Sequence, residues 1–233
     1  MSKIKLFSIG AIFVFCGLLL GAEGYLMEYE TSGVHTGGTR VEGNLKIILK
    51  NGVKRISGTL VFYETGNPYP NIEEREVIVD IPSSKKYFIT EGLGQWNSLD
   101  LKGDFNLLKD DKIRVEYNKT GNTALLKLSV NYPVLMGGTT VYSITYTYGK
   151  DANRDKIRLQ AIGKPSPSDI AVYFLDNEKI ADTIQQKLGE DRYNIPEKFR
   201  IVCEQAGKIS FDITGTLRSA QPLNLADRDF QTK

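Results

Sequence analysis

With 233 residues, 41% of them hydrophobic and 25% charged, the chain has enough apolar material for a real core, and its balance argues against both disorder and an integral-membrane body. The formal net charge is only +2, so no basic field is available to recruit nucleic acid or an anionic membrane surface. Tyr (12), Phe (10) and Gly (22) are abundant beside a single Trp, a composition that suits strands and tight turns better than a helical bundle.

The chain opens on a short positive region, Lys3 and Lys5, followed by an apolar stretch from Phe7 to Leu20. Ala22 and Gly24 then stand in the −3 and −1 relation for cleavage before Tyr25, the pattern of a secretory signal peptide over residues 1–24. The stretch is shorter than the ~20 residues a transmembrane helix needs. Cys16 is poorly placed for lipidation, because Phe15 is bulky where a small residue is wanted and Leu18, Leu19 and Leu20 continue the apolar run. Removal of the segment leaves one cysteine, Cys203, and so neither an intramolecular disulfide nor a cysteine metal cluster. A large exported domain without disulfides fits a bacterial envelope, periplasmic or secreted. Asn118-Lys119-Thr120 matches a glycosylation sequon, a triplet common by chance.

Residues 25–233 read as one β-rich domain, mainly antiparallel and built from hairpins as a sandwich or half-barrel, with one α-helix in the C-terminal half. A strand is expected at Tyr25–Ser32. Asn51-Gly52 is a type I′ hairpin signal that sets Ile47 opposite Ile56, Leu45 opposite Gly58 and Val41 opposite Phe62. Turn chemistry and hydrophobic pattern agree there, since a one-residue slip would mix the two faces. Glu76–Ile81 and Lys85–Thr90 follow as strands. Around Thr120-Gly121 a second hairpin would oppose Tyr117 to Ala124, Val115 to Leu126 and Ile113 to Leu128. Thr140–Tyr148 carries Tyr142, Ile144, Tyr146 and Tyr148 on one face, an aromatic row that serves either as packing or as a ligand-facing platform. Lys156–Ile162 alternates like another strand. Gly163-Lys164-Pro165-Ser166-Pro167-Ser168 reads as a stiff turn where the domain could subdivide.

The helix is expected after Asp176 as cap, with Leu175 and Ile180 spaced as a hydrophobic staple. Ile180, Ala181, Ile184 and Leu188 line one face, and Gly189 ends it. A last hairpin with a three-residue loop, Gln205-Ala206-Gly207, would set Cys203 opposite Ile209, Ile201 opposite Phe211 and Phe199 opposite Ile213. Its other face would pair Arg200 with Asp212 and Glu204 with Lys208. A two-residue loop would put charges opposite Ile209 and Ile213. Cys203 then reads as a small core residue.

Chemistry is sparse. His35 is the only histidine, which rules out a multi-histidine zinc site within one chain, and it reads as a solvated loop residue. Ser32 lies close by, but no nucleophile elbow surrounds it. Gly33 to Thr39 is glycine-rich without the lysine of a phosphate-binding loop. Glu73-Glu74 and Asp110-Asp111 are adjacent carboxylates of the kind that solubilise loops, and Asp100, Asp104, Asp110 and Asp111 follow no calcium pattern. No catalytic residue, metal ligand or cofactor is assigned. Two long loops, Glu64 to Glu74 and Glu91 to Asp111, hold Tyr69 and Trp96, and loops of that length often carry function. Trp96, Tyr69, Tyr142 and Tyr146 are therefore the candidate ligand-binding residues, with Trp96 better suited to plugging an end of the core, since tryptophan is highly buried on average.

The opening Tyr25-Leu26-Met27-Glu28-Tyr29-Glu30-Thr31-Ser32-Gly33, followed by hairpin after hairpin, resembles the first strands of lipoprotein-carrier-like (LolA/LolB-like) half-barrel envelope proteins. The resemblance implies an antiparallel sheet wrapped around an apolar concavity and covered by helices, although only one clear helix is legible here. The expected function is a non-enzymatic envelope or secreted protein that binds or carries an apolar ligand or supports an assembly, its partner a lipid, a glycan or another envelope protein. The alternatives are a carboxylate-dependent extracytoplasmic hydrolase acting on a polysaccharide, and an accessory protein tethered by a retained N-terminal segment.

Overall fold

The computed structural model of the chain describes residues 24–50, 53–80, 85–89, 96–100, 112–131, 138–150, 156, 159–160, 170 and 178–223. Period-two alternation places one set of side chains on an inner face and the other on an outer face of a single antiparallel sheet. Its strands are β1 (Gly24–His35), β2 (Thr39–Lys50), β3 (Val53–Tyr63), β4 (Asn71–Asp80), β5 (Lys85–Ile89), β6 (Trp96–Asp100), β7 (Ile113–Thr120), β8 (Thr123–Asn131), β9 (Thr139–Tyr148), β10 (Pro196–Gln205) and β11 (Lys208–Leu223). Between β9 and β10 lies helix α1 (Glu178–Leu188), followed by a 3-10 turn, Gly189–Tyr193.

The spatial order is β6-β5-β4-β3-β2-β1-β11-β10-β9-β8-β7. Two meanders, β1 to β6 and β7 to β11, are thus joined where the first strand pairs with the last. Tyr25 pairs with Pro222 and Val34 with Asp212, with one bulge between Glu28 and Tyr29. Because eleven strands alternate in direction, β6 and β7 at the two edges run parallel, and the sheet cannot close on itself with antiparallel pairing. The chain must nevertheless pass from Asp100 to Ile113. Those thirteen steps reach at most about 45 Å, whereas ten inter-strand spacings of about 4.8 Å separate the edges of a flat sheet. The link must also travel back along the strands. The sheet therefore curls.

The inner face is the core. Tyr25, Met27 and Tyr29 of β1, Leu45, Ile47 and Leu49 of β2, Ile56 of β3, Leu126 and Leu128 of β8, Ile144 and Tyr146 of β9, and Phe199 and Ile201 of β10 are all buried in one cluster. Ile184 and Leu188 of α1, Leu159, Ile170 and Ile195 belong to the same cluster, so helical segments cover part of the concavity. The outer face is mostly polar, its apolar residues including the buried neighbours Leu26 and Ile48 and the exposed Val34, Ile72, Leu125 and Ile209. A polar face toward water and an apolar face under helices is the usual economy of an antiparallel sheet.

The β2–β3 hairpin has the register expected from Asn51-Gly52: Ile47 faces Ile56, Leu45 faces Gly58 and Val41 faces Phe62. The expected strands at Tyr25–Ser32, Glu76–Ile81, Lys85–Thr90 and Thr140–Tyr148 fall within β1, β4, β5 and β9, give or take a residue at their ends. Two hairpins differ from expectation by two residues. In β7–β8 the loop is Gly121-Asn122, so Tyr117 faces Leu126 and Val115 faces Leu128. Gly121 takes the first loop position at φ +61°, a conformation the β-branched Thr120 would resist.

In β10–β11 the loop has two residues, Ala206 and Gly207, both left-handed at φ 51° and 74°. A bulge between Cys203 and Glu204 absorbs the misfit that seemed to forbid this loop. Glu204 does face Ile209, which stays 58% exposed, but beyond the bulge Cys203 faces Phe211 and Ile201 faces Ile213. Arg200 and Asp212 still meet, now diagonally, through two hydrogen bonds of 2.8 and 2.5 Å.

A third correction concerns the expected strand at Lys156–Ile162: Lys156, Leu159 and Gln160 are helical. Leu159 enters the core while Gln160 is exposed, and one turn of helix sorts these side chains as well as a strand would. Helix α1 matches expectation in burying Ile184 and Leu188 and in ending at Gly189, which has φ +54°. The expected cap Asp176 and staple residue Leu175, the signal segment, the linker at 163–168 and Asp110-Asp111 lie outside the described residues.

Candidate functional site

The hairpin loops β1–β2, β3–β4 and β10–β11 share one end of the sheet, while α1 and its 3-10 turn meet the sheet at the other. At the loop end, inner-face positions of β1, β2, β3, β4 and β11 enclose a pocket of about 370 Å³. That volume lies at the lower end of the range of small-molecule sites, about 300–1,000 Å³. Its floor is apolar: Leu60 and Ile213 are buried, and Phe62 and Phe211 half-buried. Its rim is polar: His35, Thr36, Thr39, Glu64, Asn71 and Glu73.

Strand register explains the convergence. Leu60 pairs with Glu73 and Phe62 with Asn71, so the floor of β3 and the rim of β4 share the inner face. Phe211 pairs with His35 and Ile213 with Gly33 across β1. The His35 ring stands edge-on to Phe62, centroids 5.7 Å apart and planes at 89°. The short 3-10 turn Thr36–Gly38 is pinned when Thr36 Oγ1 donates to the Ser210 carbonyl at 3.0 Å. The exposed apolar side chains Val34, Ile72 and Ile209 at this end lie on the outer face, whereas Tyr69 stands in the loop between β3 and β4.

The four residues singled out from the sequence are placed differently from one another. Tyr69 is 78% exposed, in the loop between the pocket residues Glu64 and Asn71, and its backbone N–H donates to Asn67 Oδ1 at 3.0 Å. Tyr142 is half-buried on the inner face, its ring 6.4 Å from Phe211, and so continues the apolar floor toward β9. Tyr146 is completely buried in the core. Trp96 begins the edge strand β6, where it pairs with Ile89 of β5, three strands from β3. The pocket is also lined by His35, a solvated loop residue by its local sequence. Its proximity to Phe62 depends on pairings between distant strands, and no local signal announces it.

The opposite end is polar in another way. Asp191, on the 3-10 turn after α1, accepts from Tyr117 Oη at 2.7 Å and Asn194 Nδ2 at 2.9 Å, and pairs with Lys119. It ties the helical cover to the edge strand β7. Burial pushes its carboxyl upward, but the hydrogen bonds from Lys119 and Tyr117 outweigh this and hold it below the usual carboxylate range. A depressed folded-state pKa contributes stability above the unfolded value, about 3.9, and loses it as pH falls through the folded value. Asp191→Asn is therefore expected to cost about 1 kcal/mol at neutral pH, a figure kept low for a site that water reaches. The difference from the parent should shrink as urea titrations are moved from neutral pH into acid. Asp212, held down by Arg200, titrates in both proteins and cancels.

Cys203 is a buried free thiol whose pKa burial raises, which fits a core residue better than a nucleophile. Among the described residues, no group of three His, Cys, Asp or Glu side chains could hold a metal ion. No helix among them is long and apolar enough to cross a membrane.

No protein-family model matches the chain, and no curated protein does so significantly. Among solved structures, the chain is similar to a LolA superfamily protein from Nitrosomonas europaea at 6% identity and a TM-score of 0.32, with 91% of each chain covered. It is also similar to a porin-like protein from Bacteroides uniformis at 13% identity and a TM-score of 0.30, covering 84% of this chain and 96% of that one. Neither likeness is close enough to assign a family.

Proposed function

We propose that the chain from Tyr25 onward is an exported, non-enzymatic binding protein that holds the apolar part of a ligand in the pocket at the loop end of its curved sheet. The observation that carries this reading is the floor of Leu60, Phe62, Phe211 and Ile213, a concave apolar surface that no described residue of α1 lines. Tyr142 extends that floor through Phe211, and Tyr69 flanks the mouth. Export is supported by Lys3, Lys5, the apolar run and the small residues Ala22 and Gly24. Cleavage after Gly24 would leave β1 intact from Tyr25, so that export and folding do not compete for the same residues.

The test uses protein beginning at Tyr25 and displacement of an uncharged, polarity-sensitive dye by a long-chain alcohol. Saturable displacement is expected, weakened about tenfold or more by Phe62→Asp, which takes an apolar contact from the floor and adds a charge. A parent protein that neither binds the dye nor releases it to the alcohol would remove the ligand-binding reading and leave a structural role. N-terminal sequencing of protein exported from its host checks the start at Tyr25.

A second reading has one observation in its favour: Glu64 and Glu73 line the same pocket, as a carboxylate-dependent polysaccharide hydrolase requires. Sugar release from a panel of polysaccharides, abolished by Glu73→Gln, would establish it in place of the first.

A further inference from the structure

The edge strand β7 carries its backbone groups and its charges in a self-complementary order. Among the described strands none lies beyond it, so one of its two backbone edges has no ladder partner there. The β7–β8 hairpin fixes which residues face that edge. A two-residue loop is closed by hydrogen bonds between the residues that flank it, here Thr120 and Thr123. Alternation along the ladder then turns the backbone groups of Asn118, Glu116 and Arg114 toward β8, and those of Ile113, Val115, Tyr117 and Lys119 outward. Toward its end the strand is engaged by the helical cover, since Asp191 holds both Tyr117 and Lys119. Its first half, from Ile113 to Tyr117, is where a further strand can add. On the outer face there, Arg114 and Glu116 meet at 3.2 Å with side chains 81% and 60% exposed. On the inner face Val115 is buried, and Ile113 and Tyr117 are half-buried against the core.

An antiparallel strand must set its own outward-facing residues against these, which restricts the register to steps of two. With Val115 opposite Val115 of a second copy, Ile113 meets Tyr117 on the inner face and Arg114 meets Glu116 on the outer face. Arg114 and Glu116 are then a non-hydrogen-bonded pair, the arrangement that brings opposed side chains closest. Four charges alternate in sign around a square, and each copy offers the other the same surface, as a two-fold axis requires. A slide of two residues opposes Arg114 to Arg114 in one direction and Glu116 to Glu116 in the other, and both are unfavourable. We infer that a second copy of this chain pairs at β7 through residues 113–117, in the register that opposes Arg114 to Glu116, and continues the sheet across a two-fold axis. A contact confined to one strand edge is small, so the dimer belongs to the transient class.

The experiment follows the mass of protein beginning at Tyr25 by sedimentation equilibrium over a concentration series at low salt, where surface charges are least screened. A reversible equilibrium of monomer and dimer is expected. Glu116→Arg gathers four cations at the square and Arg114→Glu gathers four anions, so each should weaken dimerisation about tenfold or more. An equimolar mixture of these two variants should dimerise about as well as the parent, because each chain supplies the sign the other lacks. That recovery also shows that both variants are folded. The double variant Arg114→Glu/Glu116→Arg restores the alternation within one chain and should match the parent too. A parent that stays monomeric up to about 500 µM, beyond the reach of even a weak specific contact, would overturn the inference. Single variants that dimerise like the parent, or a mixture that does no better than either variant alone, would overturn it as well and move self-association to another surface.

Discussion

Phe199→Ala is expected to lower the unfolding free energy by about 3–5 kcal/mol, the usual cost of emptying a fully buried aromatic site. The ring holds three parts of the fold at once. It stands edge-on to Tyr29, centroids 5.3 Å apart, across β11. It also packs against Gly215, where a side chain of any size would run into it. Tyr29 in turn donates its hydroxyl to the Pro196 carbonyl at 3.1 Å, tying β1 to the start of β10. The collapse that softens many large-to-small substitutions is blocked here, because backbone rather than a mobile side chain sits beneath the ring. A partner substitution isolates this cause. Gly215→Ala should be destabilising in the parent, yet much less so beside Phe199→Ala, where the vacated space admits the new methyl group. Urea titrations of the four proteins form a double-mutant cycle. Additivity within about 0.5 kcal/mol would show that ring and glycine do not depend on each other.

How much of this was legible in the sequence depended on which physical signal was local. The β2–β3 register could be read because Asn51-Gly52 fixes the turn and the alternation on both flanks fixes the faces. The β7–β8 and β10–β11 hairpins were found but set two residues out of register, and the size of the error has a cause. Alternation has a period of two, so a shift of two leaves every side chain on its own face and every pattern argument unchanged. Only the turn could have decided. At Gly121 the left-handed position favoured one placement, and at Ala206-Gly207 a bulge made a two-residue loop compatible with the core.

The site was less legible than the fold. Tyr142 and Tyr69 came into view as aromatics in a strand and a loop. His35, Glu64, Phe62 and Phe211 become neighbours only through the pairing of β1 with β11 and β3 with β4. In particular, the pairing of first strand with last brings Phe211 to His35 across 176 positions of sequence, a contact that composition and periodicity do not encode. The helical character of Lys156, Leu159 and Gln160 is missed for a related reason: a seven-residue alternating run is ambiguous in isolation, and the core that decides it lies on other strands.

Gly43→Val is expected to be the second most damaging substitution, at about 3 kcal/mol. Curling a sheet tightly enough to form a concavity requires inner-face positions where the backbones of neighbouring strands close in, and residues without side chains supply them. Gly43 is such a position in the middle of β2. A side chain there would collide with the Thr59 carbonyl of β3, a rigid obstacle held in the β2–β3 ladder. Its neighbour across β1 is Thr31, itself buried, and beyond Thr31 lies Gly215, so the same band continues through three strands. Relief would have to come from flattening the sheet, which moves Leu60 and Phe62 away from Ile213 and Phe211 and opens the floor of the pocket. Two measurements separate this from a general intolerance of valine. Asn44→Val, one residue along and on the exposed outer face, should stay within about 0.5 kcal/mol of the parent. Any folded Gly43→Val protein should bind the uncharged dye more weakly than the Asn44 variant. Equal stability of the two would show that the curvature does not depend on a glycine at this point, whereas loss of dye binding from Gly43→Val alone would tie the shape of the pocket to the bend in β2.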